Sequence, residues 1–364
     1  MPIREESFRI GCGRYLQGAG KIRDLGKEVL RLGSSPLIVG GETALSVAGE
    51  AAMESIRTSC ENYVLITHTG TCNDEDAREI AKLAEENEYD VIVGIGGGVM
   101  MDFAKLCAHF ARLPVICVPT SSATCAAYTP LSVRYTPEGR TVGSMHYDYE
   151  LDAVIADTEI IATQPVRLLL SGVFDALAKF IEIKQRYPDD LDAAYPIGLD
   201  YAFALAKHSY RFMTEKTSEA IADMQAGKLT QTFENLVFTT VAATGVISGI
   251  ARGSNQTALA HKFYENTRYL FPEAARPYLH GEIVGVGLLL QNHFNGEVEE
   301  NDALLDWMRT FHLPHKITEI GVDPSEAFFE QYYERLVASS AIDETNADEC
   351  ARLRAAMEYL WAIE

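Results

Sequence analysis

The sequence is poor in positive charge: 31 Lys and Arg stand against 52 Asp and Glu in 364 residues, for a formal net charge of −21. Nucleic-acid binding draws on a basic surface that displaces counterions, so that class of partner is excluded. Membrane surfaces, which are anionic, are disfavoured for the same reason. Long hydrophobic runs are missing too. No segment approaches the ~18 uninterrupted apolar residues of a membrane helix, and the opening Met1-Pro2-Ile3-Arg4-Glu5-Glu6 has no signal-peptide core. The seven cysteines, at positions 12, 60, 72, 107, 117, 125 and 350, form no CxxC pair and are odd in number. Reduced thiols in the cytoplasm are the expectation. There is no internal repeat and no low-complexity segment. What remains is 47% hydrophobic and 23% charged, an ordinary globular balance, in a chain long enough for two domains with their own cores.

The chain is organised around residues 91–105, VIVGIGGGVMMDFAK. A short β-branched run bounded by glycines reads as a buried parallel strand over 91–95. The apolar spacing of Met100, Met101, Phe103, Ala104, Leu106 and Cys107 suits a helix over 99–111. Gly96, Gly97 and Gly98 lie between them, where they free the backbone and let a ligand approach the bare main chain. A strand, a glycine turn and a helix N-terminus can hold a phosphate, because free N–H groups and the helix dipole point at the anion. Tight strand-to-helix packing is the competing reading of the same glycines. The dinucleotide fingerprint GxGxxG is incomplete, since Val99 stands where its third glycine belongs.

In chain order, a strand-like opening is followed by a helix over 21–32 ending at Gly33, a strand over 36–39 and a helix over 43–57. A strand over 63–67 and a helix over 74–86 come next, with Asn73 as N-cap. After the organising strand and helix comes a strand over 115–118. This β-α alternation predicts a parallel sheet with helices on both faces and ligands at the strands' carboxyl ends. The loop 119–130 (PTSSATCAAYTP) edges that same cleft. Residues 131–135 and 140–144 read as a hairpin, and 152–156 as one more strand. Beyond about residue 160 helices dominate, predicted over 167–185, 191–213, 217–225, 229–250, 254–266, 281–294 and 299–311. The expected division is 1–162, an α/β domain with a parallel sheet, and 163–364, an all-α domain.

Three residues of the helical half stand out. Asp175 is an acid inside the mostly apolar SGVFDALAK, His261 has the apolar neighbours ALA before it, and His280 opens the glycine-spaced GEIVGVG. One carboxylate and two imidazoles can hold Zn²⁺ with an open fourth position. An isolated buried Asp is also commonly a cap or ion-pair partner, so spacing alone leaves both readings. The other histidines, at 68, 109, 146, 208, 293, 312 and 315, read as structural.

Taken together, GIGGGVMMDFAK (94–105), VPTSSATCAAYTPLSVRYT (118–136), GVFDALAKFIE (172–182), TALAHKFYE (257–265) and LHGEIVGVG (279–287) resemble the glycerol-dehydrogenase branch of the iron-dependent, group III alcohol dehydrogenases. The resemblance covers nearly the whole chain. It implies an N-terminal dinucleotide-binding domain and a C-terminal helical domain, the architecture shared with dehydroquinate synthase, with cofactor and metal in the cleft between. It implies that Asp175, His261 and His280 are the metal ligands. Gly96, Gly97, Gly98 and Asp102 match the cofactor phosphate and nicotinamide region, and Thr120, Thr129, Leu131, Val133 and Tyr135 match the loop and hairpin lining the cofactor. The implied reaction is hydride exchange between NAD or NADP and a small alcohol, with a divalent metal as Lewis acid and no dedicated general base in evidence. A small-molecule substrate and a homo-oligomer are expected.

Three departures from the pattern carry information. Lys179 stands where iron-type members have a further His ligand, which favours zinc. Gly40-Gly41 replaces the acidic residue that usually ends the second strand, which favours acceptance of NADP. Cys125 replaces the Asp of the substrate loop, which shifts the expected substrate from a polyol such as glycerol toward a 2-hydroxy or 2-oxo acid. The alternatives are a 3-dehydroquinate-synthase-like lyase, disfavoured because its first ligand is Glu and its lysine-rich motif is missing, and a non-catalytic dinucleotide-binding protein.

Overall fold

The computed structural model describes residues 10–186, 197–251 and 256–363. Six strands form one parallel sheet, in the order β1-β8-β5-β4-β2-β3. They are β1 (Tyr15–Gly18), β2 (Pro36–Gly40), β3 (Val64–Thr67), β4 (Val91–Gly96), β5 (Val115–Pro119) and β8 (Ala153–Asp157). Central β4 is buried along its whole length. Its side chains alternate between two cores: Ile92 joins the layer of Leu37, Val39, Phe103 and Leu106, while Val91, Val93 and Ile95 join Leu25, Ile38, Ile56 and Ile116. Helices α1 (Leu25–Leu32), α2 (Glu42–Arg57), α3 (Asp74–Glu86) and α4 (Gly98–Ala111) connect the strands. The Asn73 side chain caps α3 by accepting the Asp76 N–H, as its position predicts. Strands β6 (Leu131–Tyr135) and β7 (Thr141–His146) form a separate antiparallel hairpin.

The predicted helix over 21–32 divides into a 3₁₀ turn, Lys21–Asp24, and α1. Its entry is set by buried Asp157, whose carboxylate accepts the N–H groups of Gly20 and Ile22. A short α5 (Thr158–Ile161) leads to α6 (Val166–Arg186). The helices expected over 191–213 and 217–225 are one, α7 (Ile197–Gln225); residues 191–196 lie outside the described part. The polar Thr-Glu-Lys at 214–216 does not break it, and the Thr217 hydroxyl bonds back to the Met213 carbonyl. The helix expected over 229–250 is three pieces: α8 (Gln231–Phe238), a π turn at Thr239–Ala243, and α9 (Thr244–Ala251). Hydroxyls of Thr239, Thr240 and Thr244 all bond back to helix carbonyls there. By composition Gln231–Ala251 is long and apolar enough to cross a membrane, yet 56% of its most apolar window is buried inside the protein.

Helix α10 (Leu259–Leu270) starts later than the expected 254 and runs further; residues 254–255 lie outside the described part. After the short α11 (Pro272–Ala275) come α12 (His280–Asn295), α13 (Val298–Thr310), α14 (Glu326–Ala338) and α15 (Ala347–Trp361). The last two were not delimited from the sequence. Instead of one cut at 162/163, the described residues form two compact units with three crossings. The first holds the described residues up to Leu169 together with Phe212–Ile250. The second holds the described residues of Leu170–Arg211 and of the chain from Ala251 onward. In the second unit, α12 is the buried centre and packs along α10 and α15.

Candidate active site

In the first unit the glycine turn lies at the carboxyl end of β4 and opens α4. None of Gly96, Gly97 and Gly98 has a positive φ, so conformational freedom is not what these glycines supply. Space is. A Cβ at Gly94 would stand 2.3 Å from the Ala104 Cβ, and one at Gly96 would stand 2.5 Å from the Met100 Cβ. These two let α4 lie close on β4, which is the packing reading. Gly97, the N-cap of α4, is different: a Cβ there would have only the Ser121 hydroxyl near, at 3.6 Å. Close packing on α4 thus accounts for Gly94 and Gly96, while Gly97 leaves room beside the helix N-terminus.

The loop after β5 and the hairpin are tied to α4 by a residue that the sequence reading passed over. Lys105 is 1% exposed, and its ammonium donates to the carbonyls of Ala126, Thr129 and Leu131. It also pairs with Asp102 Oδ1 at 2.9 Å. Asp102 Oδ2 accepts the Val133 N–H, and the Ser132 hydroxyl donates to the Asp102 carbonyl. Burial pushes the Asp102 carboxyl up, against the pull of Lys105 and the Val133 N–H. The Thr120 N–H bonds to the Gly96 carbonyl, and the Tyr135 N–H to the Cys72 carbonyl. Gly96, Gly97, Gly98, Asp102, Thr120, Thr129, Leu131, Val133 and Tyr135 thus gather along the α4 end of the sheet and the adjoining hairpin. Cys125 sits half-buried in the loop, its carbonyl accepting the N–H groups of Tyr128 and Thr129. None of the seven cysteines is in a disulfide. Strand β2 ends at Gly40, and Gly41 is the N-cap of α2, so no carboxylate occupies the end of that strand.

The second unit brings Asp175, His261 and His280 together. Asp175 comes from the middle of α6, His261 from the first turn of α10, and His280 is the first residue of α12. Asp175 Oδ1 lies 3.4 Å from His261 Nε2 and 3.3 Å from His280 Nε2. Donor atoms bound at about 2.0–2.1 Å around a tetrahedral ion are about 3.3 Å apart, so the spacing fits a divalent metal. Close helix packing produces this convergence. Gly281 lies so near α6 that a Cβ would meet the Ser171 carbonyl carbon at 2.6 Å, and its N–H bonds to the Ser171 hydroxyl. The Tyr264 ring packs edge-on against His280, 4.2 Å between centroids. Arg268 holds the turn before it through the carbonyls of Ala275 and Tyr278.

Burial works against the charge on Asp175, but His280 and His261 hold its carboxyl well below the usual range. Burial also disfavours a charged His261, yet Glu182 and Asp175 raise it to about 9 against Lys179. Glu182 was missed in the sequence reading. The signal was present: Asp175, Lys179 and Glu182 recur at helical spacing in GVFDALAKFIE, three buried charges on one apolar helix. Of the remaining histidines, His68 stacks on Phe103 at 3.8 Å and His293 on Tyr359 at 4.6 Å, both packing roles.

Comparison with known proteins identifies the family. Residues 12–158 match the iron-containing alcohol dehydrogenase family. A glycerol dehydrogenase of Thermotoga maritima is 33% identical over 316 residues, 85% of this chain and 84% of that one. Hydroxycarboxylate dehydrogenase A of Escherichia coli is 32% identical over 263 residues, 71% of this chain and 70% of that one. The fold is that of glycerol dehydrogenase from Schizosaccharomyces pombe, with a TM-score of 0.82 at 21% identity, over 98% of this chain and 91% of that one. Dehydrogenases as relatives do not favour the lyase alternative. The chain belongs to the glycerol-dehydrogenase branch of the iron-containing alcohol dehydrogenase family, and is a metal-dependent, NAD(P)-linked oxidoreductase acting on CH–OH groups.

Proposed function

We propose that the chain interconverts small 2-hydroxy acids and 2-oxo acids in preference to glycerol, accepts NADP(H) alongside NAD(H), and works with one zinc ion held by Asp175, His261 and His280. The observation carrying the metal reading is that Asp175 Oδ1 lies 3.3–3.4 Å from both histidine Nε2 atoms, with all three donor atoms within 4.8 Å of one another in the second unit. When bound, the metal supplies Lewis-acid polarisation of the substrate oxygen and the nicotinamide exchanges the hydride. The chain's own residues supply placement. The open N-terminus of α4 at Gly97 offers N–H groups to the cofactor phosphates, and Lys105 holds Thr129 and Leu131 in the lining loop. Lys179, at the position of a fourth ligand in iron-type members, leaves three protein ligands and favours zinc.

Cys125 supports the substrate. An Asp there would accept hydrogen bonds from a polyol, and would repel a carboxylate at ~5 Å by about 3 kcal/mol at an effective dielectric of ~20. A thiol does neither. The Escherichia coli relative, by its name, acts on hydroxycarboxylates. Missing acid at Gly40-Gly41 supports NADP(H), with Glu42 at the start of α2 restoring part of the repulsion. We also place the enzyme in the cytoplasm as a homo-oligomer, for which light scattering is the check.

The test is kcat/KM for glycerol against a 2-oxo acid series, with both nucleotides, before and after chelation and Zn²⁺ return. Preference for glycerol would end the substrate reading. More than a roughly thousandfold preference for NAD(H), about 4 kcal/mol, would mean that the missing acid is supplied elsewhere. Recovery with Fe²⁺ but not Zn²⁺ would end the zinc assignment.

A further inference from the structure

We infer that Glu182 is a positioning residue for the metal centre: it fixes His261 as the Nδ1–H tautomer, leaving Nε2 free to ligate, and it anchors the turn of α10 that carries the ring. The inference rests on the reading that Asp175, His261 and His280 hold the metal. Glu182 is fully buried at 0% exposure, and both of its oxygens are engaged. Oε2 accepts from His261 Nδ1 at 2.5 Å. Oε1 accepts the N–H groups of Ala258 at 2.7 Å and His261 at 2.9 Å. Ala258 is the N-cap of α10 and has no capping side chain of its own. Glu182 therefore supplies that cap from α6, seven residues beyond Asp175.

For the neutral ring that a metal needs, the chemistry allows one tautomer. A carboxylate only accepts, so the ring nitrogen facing it must carry a proton. Neutral imidazole has one N–H, and with Nδ1 protonated the lone pair lies on Nε2, 3.4 Å from Asp175 Oδ1. A metal-ligating histidine held in this way by a carboxylate typically owes it 10–100-fold in metal affinity. A cap alone would need only Oε1, and would account for stability without affecting metal binding.

Glu182→Gln separates the two roles. The amide oxygen can keep the backbone N–H groups, but its NH₂ then faces Nδ1 and drives the ring proton to Nε2, the ligating atom. The measurement is Zn²⁺ affinity of the metal-free full chain, by competition with a chromophoric chelator, for wild type, Glu182→Gln and His280→Ala, with melting temperatures taken without metal. We expect Glu182→Gln to weaken Zn²⁺ binding by about 10–100-fold with little change in melting. Wild-type affinity in Glu182→Gln, beside a His280→Ala that has lost Zn²⁺, overturns this inference alone. A wild type that binds no Zn²⁺, or a His280→Ala as tight as wild type, overturns the metal reading and this inference with it. Should Glu182→Gln fail to fold, ¹⁵N histidine spectra of zinc-loaded wild type decide: His261 protonated at Nδ1 supports the inference, and Nδ1 bound to metal overturns it.

Discussion

The glycine turn after β4 and the Asp175–His261–His280 cluster are the two candidate binding devices, built from opposite materials. The turn is made of main chain from one contiguous stretch, and its demand on the sequence is that side chains be missing where α4 meets β4. The cluster is made of side chains from three helices far apart in sequence, and its demand is that specific atoms arrive at specific places. A backbone device fails when an atom is added; a side-chain device fails when one is removed. Supporting residues follow the same division. Lys105 gathers backbone carbonyls around the first device, whereas Glu182 orients a side chain of the second.

The sharpest way to break this comparison is to remove a cluster atom. His280→Ala should lose the metal and essentially all activity while the metal-free fold survives, because the ring is 29% exposed and its ring packing among the described residues is limited to the edge contact with Tyr264 and the neighbouring His261. Metal content per chain and turnover check this; full occupancy with normal turnover would mean that the ion sits elsewhere. Next is Lys105→Met, which leaves Asp102 buried without its partner. The expected loss is about 3–5 kcal/mol of unfolding free energy, read from denaturant midpoints. A loss below about 1 kcal/mol would show that the pair does not hold the loop.

Smaller effects sharpen the substrate and cofactor ends. Cys125→Asp should move the glycerol to 2-oxo acid ratio of kcat/KM toward glycerol by about 3 kcal/mol, roughly a hundredfold. An unmoved ratio would take Cys125 out of the pocket. Gly41→Asp is the mildest. A Cβ there would meet only the Met100 Cε at 3.9 Å, and the new carboxylate would sit at the N-cap of α2. Stability should rise by a few tenths of a kcal/mol, and NADP(H) should lose about tenfold in kcat/KM relative to NAD(H). Unchanged nucleotide preference would show that the end of β2 does not read the ribose.

By itself the sequence determined what is local. Strand β4, helix α4, the Asn73 cap and the hairpin are set by apolar period, capping chemistry and turn residues acting over a few positions. The Asp, His and His were visible as polar residues in apolar helices, although their convergence was not. Tertiary structure decided the rest, because each remaining feature depends on a partner distant in the chain. The Thr-rich stretch at 239–244 is a π turn where its pattern predicts continuous α-helix, with Val241 and Ala242 packed in the core of the first unit. Lys105 reads as an ordinary surface lysine until three carbonyls and Asp102 surround it. Glu182 shares a helical face with Asp175 in the sequence, but its partners are settled only when the N-terminus of α10 is brought against it. Hydrogen bonds to a buried charge have no sequence period; they exist only where packing has already excluded water and left the charge no other partner.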